Sequence, residues 1–366
     1  MSRPLRVGVV GCGGIAQMMH LPTLAERPDL FTIAALADVS GEVLDAVGAR
    51  YHVAARHPDC RALLAREDVE AVLLLTSGCH REAALDVIAS GRHLFVEKPL
   101  AFSLPETEEV AAAARRGRGK VMVGYHKRFD PAYLRAREAV RAMRDLRYVE
   151  VTVLHPDDGA YRVHHSVLPV AERALPSEEE SLRRAAAAVT EGPLAPCVAR
   201  ILGKDAPLEK RIGGHVLFES LLHDVDAVRG VLGAPEAVVS AHVWRGGLAQ
   251  TSLTRFPGGV RAALTWVFLP GLRNYEETLR FIGPDERVTL VFPSPYLRHA
   301  PTPLRIERMR DGELVVEERT VSYEEAFRAE LHAFRRCVRE DLPPEPSVED
   351  ALQDARWIQS IAESYA

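Results

Sequence analysis

The first third of the chain alternates short apolar runs with segments of helical spacing. Leu5–Val10 and Ala71–Thr76 are nearly continuous apolar runs, which is the pattern of strands buried on both faces of a parallel sheet. The predicted strands here are Leu5–Val10, Phe31–Ala37, Ala71–Thr76, His93–Val96 and Lys120–Gly124, and the predicted helices are Ile15–Glu26, Ser40–Ala49, Glu82–Ser90 and Glu106–Arg116. Because strands and helices alternate, we predict the α/β class with a doubly wound parallel sheet.

The pattern changes after a helix predicted over Pro131–Arg144. A strand at Tyr148–Leu154 and a helix at Val216–Leu232 are followed by strands with only turn signals between them. These strands are Ala237–Trp244, Leu248–Phe256, Val260–Phe268, Glu277–Ile282, Arg287–Phe292 and Leu304–Met309. Adjacent strands without intervening helices predict an open, mostly antiparallel sheet.

The change of pattern divides the chain into two predicted domains, over residues 1–125 and 126–366. Two helices, Tyr323–Glu340 and Ser347–Tyr365, end the second domain, and the helix over 347–365 is a candidate to pack back on the first. The segment 157–211, with helices predicted at Ser181–Thr190 and Val198–Leu202, is long for a connection in a compact domain. It could form a lid, a wall of a pocket or an oligomer contact.

Composition narrows the class of protein. The 366 residues are 47% hydrophobic and 27% charged, which is typical of a globular protein, and the net charge of −5 argues against nucleic-acid binding. The five scattered cysteines form no C-x-x-C pair, so we expect neither a disulfide framework nor a cysteine zinc site. No apolar run reaches the roughly 20 residues that span a bilayer, and the N-terminus runs directly into a strand. We therefore expect a cytoplasmic protein without membrane contact.

A glycine-rich loop follows the first predicted strand. Gly11-Cys12-Gly13-Gly14-Ile15-Ala16 fits G-x-G-x-x-A between a strand and a helix, the context in which such a loop binds a dinucleotide pyrophosphate. Asp38 ends the second strand, where a carboxylate accepts hydrogen bonds from a ribose diol and repels a 2′-phosphate. The loop therefore predicts NAD as cofactor, with NADP possible; the alternative is a glycine-rich turn of another α/β protein.

Two further groups carry candidate chemistry. Glu97-Lys98-Pro99 stands at the carboxyl end of a predicted parallel strand, where ligands bind in open α/β sheets. His215, Glu219 and His223 follow at i, i+4 and i+8 of one predicted helix, so they should lie close to one face. A lysine, a carboxylate and an imidazole converging on a nicotinamide would form a dehydrogenase site.

Four stretches, VGVVGCGGIA, EKPLA, VGYHKRFDPAY and GGHVLFESLLHDVD, resemble the Gfo/Idh/MocA oxidoreductase family. The resemblance covers nearly the whole chain and implies an N-terminal Rossmann domain with a C-terminal α/β domain whose sheet is open and mostly antiparallel. It also implies NAD(P)-dependent chemistry on a sugar, cyclitol or sugar derivative. The family commonly forms homodimers or homotetramers that pack through that sheet.

The resemblance assigns roles residue by residue. Lys98 matches the family's active-site lysine, and His223 matches the histidine usually assigned to proton transfer. Glu219 stands where many members carry an aspartate, a departure of one methylene. His126 and His155 fall at positions that contact nicotinamide or line the substrate pocket in relatives.

The same resemblance extends the cofactor site beyond the glycine loop. Thr76-Ser77-Gly78-Cys79-His80 is similar to the family's T-P-x-x-x-H loop but one residue shorter. The implied cofactor-binding residues are Gly11, Cys12, Gly13, Gly14, Ile15, Asp38, Thr76, His80, Glu97 and Lys98. The implied substrate-binding residues are His126, His155, Glu219 and His223.

The expected reaction follows from these roles. His223 would take the hydroxyl proton as a hydride leaves the same carbon, because an imidazole pKa near 6.5 suits a general base. Lys98 would stabilise the developing negative charge on the reacting oxygen, and Glu219 would orient His223 or hold a neighbouring hydroxyl. Whether Lys98 or His223 carries the proton stays open, and Tyr161 is an outside candidate.

Each residue also has a structural alternative. Lys98 could cap a strand end, His223 could be a core histidine bonded by Asp226, and Glu219 could serve packing or an ion pair. His126 and His155 could be loop residues. The spacing of His215, Glu219 and His223 is not a zinc motif, so we expect no metal.

Three functions remain open from the sequence. The first is a dehydrogenase or ketoreductase. The second keeps NAD bound and uses a transient oxidation for epimerisation, elimination or glycosidic cleavage. The third is a non-catalytic NAD-binding regulator, which would need neither Lys98 nor His223. The substrate and the direction of the reaction cannot be read from the sequence.

Overall fold

The computed structural model describes residues 3–169 and 177–366, which form two compact units. Of the described residues, unit 1 comprises 3–125, 163–169 and 327–352. Unit 2 comprises 126–162, 177–326 and 353–366. In the described ranges, no helix is long and apolar enough to cross a membrane.

Unit 1 contains a six-stranded parallel sheet with the order β3-β2-β1-β4-β5-β6. Its strands are β1 (Leu5–Val10), β2 (Phe31–Ala37), β3 (Arg56–His57), β4 (Ala71–Leu74), β5 (His93–Glu97) and β6 (Val121–Gly124). The order reverses between β1 and β4, so the carboxyl ends of these strands border the crevice in which open α/β sheets bind ligands.

The helices of unit 1 connect these strands. They are α1 (Leu21–Glu26), α2 (Gly41–Arg50), α3 (Cys60–Leu64), α4 (Arg81–Ala89) and α5 (Leu104–Arg116). The helix predicted over Ile15–Glu26 is instead a π-helical turn, Ala16–His20, followed by α1. Pro22 has no N–H to donate to the carbonyl of Met18, and this disturbs regular α-helical bonding at that point.

Unit 2 is built on an eight-stranded sheet with the order β14-β13-β12-β11-β7-β10-β9-β8. The strands are β7 (Tyr148–His155), β8 (Ala237–Trp244), β9 (Ala249–Arg255), β10 (Arg261–Phe268), β11 (Glu276–Ile282), β12 (Glu286–Phe292), β13 (Pro303–Arg310) and β14 (Glu313–Thr320). β7 and β10 pair in parallel and the other neighbours are antiparallel. The predicted fold class, a doubly wound parallel sheet plus an open, mostly antiparallel sheet, is confirmed.

The remaining helices differ from prediction in one way that matters for the site. They are α6 (Pro131–Arg141), α7 (Gly159–Arg162), α8 (Glu178–Thr190), α9 (Ala195–Leu202), α10 (Leu208–Val216), α11 (Leu222–Leu232), α12 (Ala326–Arg339) and α13 (Val348–Glu363). The segment Val216–Leu232 was predicted as a single helix. In the structure it is mainly α11, and the π-helical turn Leu217–Leu221 joins α11 to α10. A π turn holds more residues than an α turn, so uniform α-helical spacing does not run through this segment.

The end of the chain is shared between the units. The sequence placed residues 327–352 in the second domain, but α12 lies in unit 1, where His332 stacks on Phe31 with 6.4 Å between ring centroids. The first residues of α13 also belong to unit 1, whereas the indole of Trp357 donates to Thr254 in unit 2. The residues of α13 are therefore divided between the two units.

Candidate active site

The glycine loop follows β1 at the reversal of strand order. Gly11 has φ +89°, and a Cβ added there would lie 2.5 Å from the backbone nitrogen of Thr76. Gly13 is exposed, and an added Cβ would meet no described protein atom within 4 Å. The fold therefore explains Gly11 by close approach to the turn after β4, whereas nothing within the described residues requires Gly13. The open space beside Gly13 would let a ligand such as a dinucleotide pyrophosphate come close to the loop backbone.

Asp38 ties this loop to the start of α2. Its Oδ2 accepts the backbone N–H of Cys12 at 2.7 Å, and its Oδ1 accepts that of Ser40 at 2.9 Å. The Cys12 side chain is buried, and burial raises the pKa of its thiol to about 12. The backbone N–H of Cys12 is bound by Asp38 and its carbonyl accepts the amide of Gln17 at 2.8 Å, so Cys12 serves to hold the loop in shape. Gly14 and Ile15, at the start of the following helix, are partly exposed.

His80 joins the turns that follow β4 and β5. Its Nδ1 lies 2.7 Å from the carbonyl of Pro99 and its Nε2 lies 2.7 Å from the carbonyl of Thr76. The ring is 1% exposed, and burial lowers the pKa of its imidazole. The buried His80 side chain therefore links the turn after β4 to the turn after β5. Thr76 itself is partly exposed.

Glu97 and Lys98 end β5. The Glu97 side chain is 5% exposed, and its Oε1 lies 2.7 Å from Nε2 of His20. Its Oε2 accepts the backbone N–H of Lys98 at 3.1 Å. Lys98 is half-buried. Glu97 therefore folds back into unit 1 and fixes the backbone that carries Lys98.

In unit 2 the structure brings together two predicted histidines. The rings of His126 and His223 meet edge to face, with centroids 4.8 Å apart. His126 stands on the 3-10 turn His126–Phe129, and His223 stands on α11. Asp226, which the sequence offered as a partner of His223, accepts both guanidinium hydrogen bonds of Arg128, at 2.7 and 2.8 Å.

The residues next to these histidines form a buried ion cluster. Nζ of Lys127 lies 3.2 Å from Oδ1 of Asp224 and also pairs with Glu277. All three side chains are at most 5% exposed. Because Lys127 follows His126 and Asp224 follows His223, their ion pair fixes the two backbones that present the imidazoles. This cluster is named the Lys127 cluster below.

Charge in the Lys127 cluster is balanced within the cluster. Burial lowers the pKa of Lys127, but the two carboxylates outweigh it and the net shift is upward. Burial raises the pKa of Glu277, but Lys127 and the hydrogen bonds outweigh it and the net shift is downward. Burial, and then the charge of Glu277, raise the pKa of Asp224 well above its usual range. The phenol of Tyr275 donates to Oε2 of Glu277 at 2.9 Å.

His155 stands at the end of β7 among aromatic rings. Its centroid lies 5.5 Å from that of Tyr275 and 5.8 Å from that of Trp266. Tyr161 donates its phenol to the carbonyl of Arg273 at 2.9 Å and accepts the N–H of Tyr275 at 2.6 Å. Tyr161 is therefore engaged with backbone, which weakens it as a proton carrier. An aromatic wall beside an imidazole suits a ligand with an apolar face and hydroxyl groups.

Glu219 lies on the π-helical turn with its side chain 60% exposed. Its carboxylate is 2.8 Å from Nε2 of the buried His215. Of the predicted triple, His215 and Glu219 are therefore in contact, and the π-helical turn Leu217–Leu221 lies between His215 and His223. His223 packs edge to face against His126.

Sequence reasoning missed the Lys127 cluster. Its members come from a 3-10 turn, α11 and β11, and no local pattern connects them. A signal was present: Lys127 and Asp224 each stand directly beside a predicted site histidine, and a lysine and a carboxylate at two such places can form an ion pair.

A comparison with protein families matches residues 5–125 to a model described as "Oxidoreductase family, NAD-binding Rossmann fold". Inositol 2-dehydrogenase of Gluconacetobacter diazotrophicus is 36% identical over 138 residues, which cover 36% of this chain and 39% of that protein. A 1-carboxy-3-chloro-3,4-dihydroxycyclohexa-1,5-diene dehydrogenase of Comamonas testosteroni is 26% identical and covers 83% of this chain and 67% of its own length. The chain matches about two fifths of the length of the first curated relatives, 41% and 39%.

Solved structures match over almost the whole chain. A 3-ketoreductase from Actinomadura kijaniata in complex with NADP has a TM-score of 0.72 at 21% identity and covers 99% of this chain and 98% of its own. An aldose-aldose oxidoreductase from Caulobacter crescentus has a TM-score of 0.75 at 20% identity and covers 99% and 97%. At this level of identity the likeness concerns the fold of both units.

Proposed function

We propose that the chain is an NAD(P)-dependent oxidoreductase of the Gfo/Idh/MocA family, the family whose NAD-binding domain model matches residues 5–125. The proposed reaction interconverts a hydroxyl and a keto group on a sugar, cyclitol or sugar derivative. The observation that carries the proposal is the pair of imidazoles, His126 and His223, held 4.8 Å apart by the buried ion pair beside them. Proteins of similar sequence or fold named as inositol dehydrogenase and 3-ketoreductase support the substrate class.

The glycine loop and Asp38 are the residues that would hold the dinucleotide. The backbone of residues 11–15 would hold the pyrophosphate, which is supported by the open space at Gly13 and by the helix that begins at Gly14. Asp38 would accept hydrogen bonds from the adenosine ribose and favour NAD over NADP. When bound, the nicotinamide supplies the acceptor or donor of the hydride.

The chain's own residues would move and stabilise the proton. His223 would take the hydroxyl proton in the oxidising direction, with His126 packed against its ring. Lys98 would donate a hydrogen bond to the reacting oxygen, from a backbone fixed by Glu97. Glu219, exposed and paired with His215, is better placed to hold a substrate hydroxyl than to orient His223. His155 would contact the substrate beside the aromatic wall.

The test measures nicotinamide absorbance with the full-length protein, NAD or NADP, and a panel of sugars and cyclitols. Lys98→Met and His223→Asn should each lower kcat by about 100-fold or more, the usual contribution of acid-base catalysis. Lys204→Met and His242→Asn are the matched controls, because both side chains are exposed. Turnover of substrate without net reduction of cofactor would assign the transient-redox reaction instead. Full turnover of Lys98→Met would contradict the assigned role.

We also propose that the protein is a homodimer or homotetramer that packs through the sheet of unit 2. Arginines and glutamates alternate on this sheet around a cavity of about 680 Å³, among them Arg287 and Glu307 at 2.7 Å. Such a surface can pair with its own copy through complementary charges. Sedimentation analysis of the wild-type protein should give a dimer or tetramer at low salt, and a monomer under these conditions would contradict the proposal.

A further inference from the structure

Three ionisable side chains meet in the interior of unit 1, beneath the Lys98 turn. His20 ends the π-helical turn after the glycine loop, Glu97 ends β5 and Glu330 lies on α12. They are 0%, 5% and 0% exposed, and one nitrogen or oxygen of each lies within 4.8 Å of those of the others. These three residues are named the Glu330 cluster below.

The walls around the Glu330 cluster are aromatic. Phe95 and Phe327 pack edge-on against the His20 ring, each with centroids 5.6 Å apart. Phe334 packs against Phe95 at 5.7 Å. The titratable groups that face Glu330 are Glu97 and His20, and Glu97 also acts on the more distant His80. In such a medium an unpaired charge is costly.

The hydrogen bonds of the Glu330 cluster are unequal. Glu97 is bonded on both oxygens, by Nε2 of His20 at 2.7 Å and by the backbone N–H of Lys98 at 3.1 Å. Three buried polar atoms of the cluster have no hydrogen-bond partner within the described residues: both carboxyl oxygens of Glu330 and Nδ1 of His20. Two carboxylates this close in an apolar site cannot both be ionised.

We propose that the Glu330 cluster is a proton-holding positioning site for Lys98, in which Glu330 is a neutral carboxylic acid, Glu97 is the carboxylate and His20 is its hydrogen-bond donor. Because Glu330 is neutral, no second negative charge repels the Glu97 carboxylate. Glu97 therefore keeps its hydrogen bond to the backbone N–H of Lys98. Burial, and then the charge of Glu97, raise the pKa of Glu330 well above its usual range, in agreement with this assignment. The link to Lys98 rests on the proposed function, whereas the protonation of Glu330 does not.

The geometry favours a proton over a metal ion. Two ligands bound to one zinc ion at about 2.1 Å in tetrahedral geometry lie about 3.4 Å apart. Nε2 of His20 and Oε1 of Glu97 are 2.7 Å apart, which is a hydrogen-bond distance.

The first experiment follows unfolding of the full-length protein from pH 6 to pH 9, for wild type and Glu330→Gln. An acid whose pKa is raised in the folded state stabilises the fold below its unfolded pKa, and this is lost as pH rises through the folded pKa. The wild-type Tm should therefore fall by at least about 3 °C more than that of Glu330→Gln, which cannot ionise. Glu340→Gln, an exposed change directly after α12, is the matched control and should follow the wild type. Identical pH dependence of wild type and Glu330→Gln would overturn the proposal.

The second measurement needs no variant to fold. In protein labelled with ¹³C at the glutamate carboxyl groups, one resonance of the wild type should keep its protonated position at pH 7. A spectrum in which every glutamate is ionised at pH 7 would overturn the proposal. So would one equivalent of tightly bound metal in the dialysed wild-type protein.

The link to Lys98 is tested with Glu97→Gln. A positioning role predicts that kcat falls at least tenfold and that the pH profile of Lys98 acylation shifts, while Kd for NAD stays within twofold. A tenfold weaker Kd with unchanged kcat would show a direct cofactor contact and overturn the positioning role. If the wild type turns over no substrate, the proposed function fails, and the unfolding, NMR and acylation measurements still decide this inference.

Discussion

Both units bury one basic side chain with two carboxyl groups beside a residue proposed for chemistry, but the hydrogen bonds of the two clusters differ. In the Lys127 cluster, Nζ bonds both Asp224 and Glu277, and Tyr275 bonds Glu277 from the other side. In the Glu330 cluster, the imidazole of His20 bonds Glu97, and the oxygens of Glu330 have no partner among the described residues.

This difference shows on which charges the stability of the folded protein depends. Lys127 is a permanent cation that compensates the carboxylate of Glu277 and bonds Asp224, so its removal leaves buried charge uncompensated. A buried carboxyl group without a hydrogen-bond partner contributes little to the free energy of unfolding. It avoids the cost of a buried charge only while it is protonated. The same types of residue can therefore make an essential ion cluster in one unit and a pH-dependent group in the other.

Removal of the cation should give the largest effect. Lys127→Met leaves Asp224 and Glu277 buried without their positive partner, and we expect the free energy of unfolding to fall by about 3–5 kcal/mol at pH 7. Urea unfolding of the full-length protein measures it. Lys204→Met, an exposed change, should stay within about 0.5 kcal/mol of wild type. A loss under 1 kcal/mol for Lys127→Met would contradict the conclusion that the stability of the fold depends on this buried cation.

Removal of one hydrogen bond from the same cluster should cost less. Tyr275→Phe deletes the phenol that donates to Glu277 at 2.9 Å, and hydrogen bonds to charged groups contribute about 1.5–3 kcal/mol. We expect a loss in this range by the same urea measurement. Burial, and then the Glu277 carboxylate, raise the pKa of Tyr275 well above its usual range, so this loss should be constant from pH 6 to pH 9. A loss that disappears at pH 9 would contradict this assignment.

The Glu330 cluster should respond in the opposite direction. Glu330→Met replaces an unpartnered acid by an apolar side chain among Phe95, Phe327 and Phe334, and we expect a gain of about 1–2 kcal/mol at pH 9. At pH 5, where the acid is neutral, the gain should be smaller. Because the pKa of Glu330 is raised in the folded state, its contribution to the free energy of unfolding is largest at acid pH and decreases as pH rises. The gain from Glu330→Met should therefore be larger at pH 9 than at pH 5. Destabilisation at pH 9 would show a hydrogen-bonding role for Glu330.

The comparison also explains what the sequence could predict. Leu5–Val10 and Phe31–Ala37 were predicted with the observed bounds, because a buried parallel strand is an apolar run that needs no long-range information. The strand Glu313–Thr320 was missed because its residues are largely exposed and polar, which resembles a loop. Its place at the sheet edge is set by pairing with the preceding strand.

In the candidate site, the sequence could locate motifs but not the direction of their side chains. The family resemblance implies that Glu97 binds the cofactor, and in the structure its carboxylate also turns inward to His20, which is 77 residues away. Asp224 was not predicted at all, although it stands beside His223, because its partner Lys127 is 97 residues distant. Motif spacing reports local geometry, whereas burial of a charge depends on pairing across the fold.

The smallest effect on stability should come from the contact of Glu219 with His215. The Glu219 side chain is 60% exposed, and exposed pairs contribute at most about 1 kcal/mol, so Glu219→Gln should change the free energy of unfolding by less than that. If Glu219 holds a substrate hydroxyl, the KM for substrate should rise several-fold with kcat changed less than threefold. Steady-state kinetics measure both, with the exposed change Glu340→Gln as control. A large loss of kcat at unchanged KM would instead place Glu219 with His223 in proton transfer, and would show that exposure alone does not separate the two kinds of carboxylate.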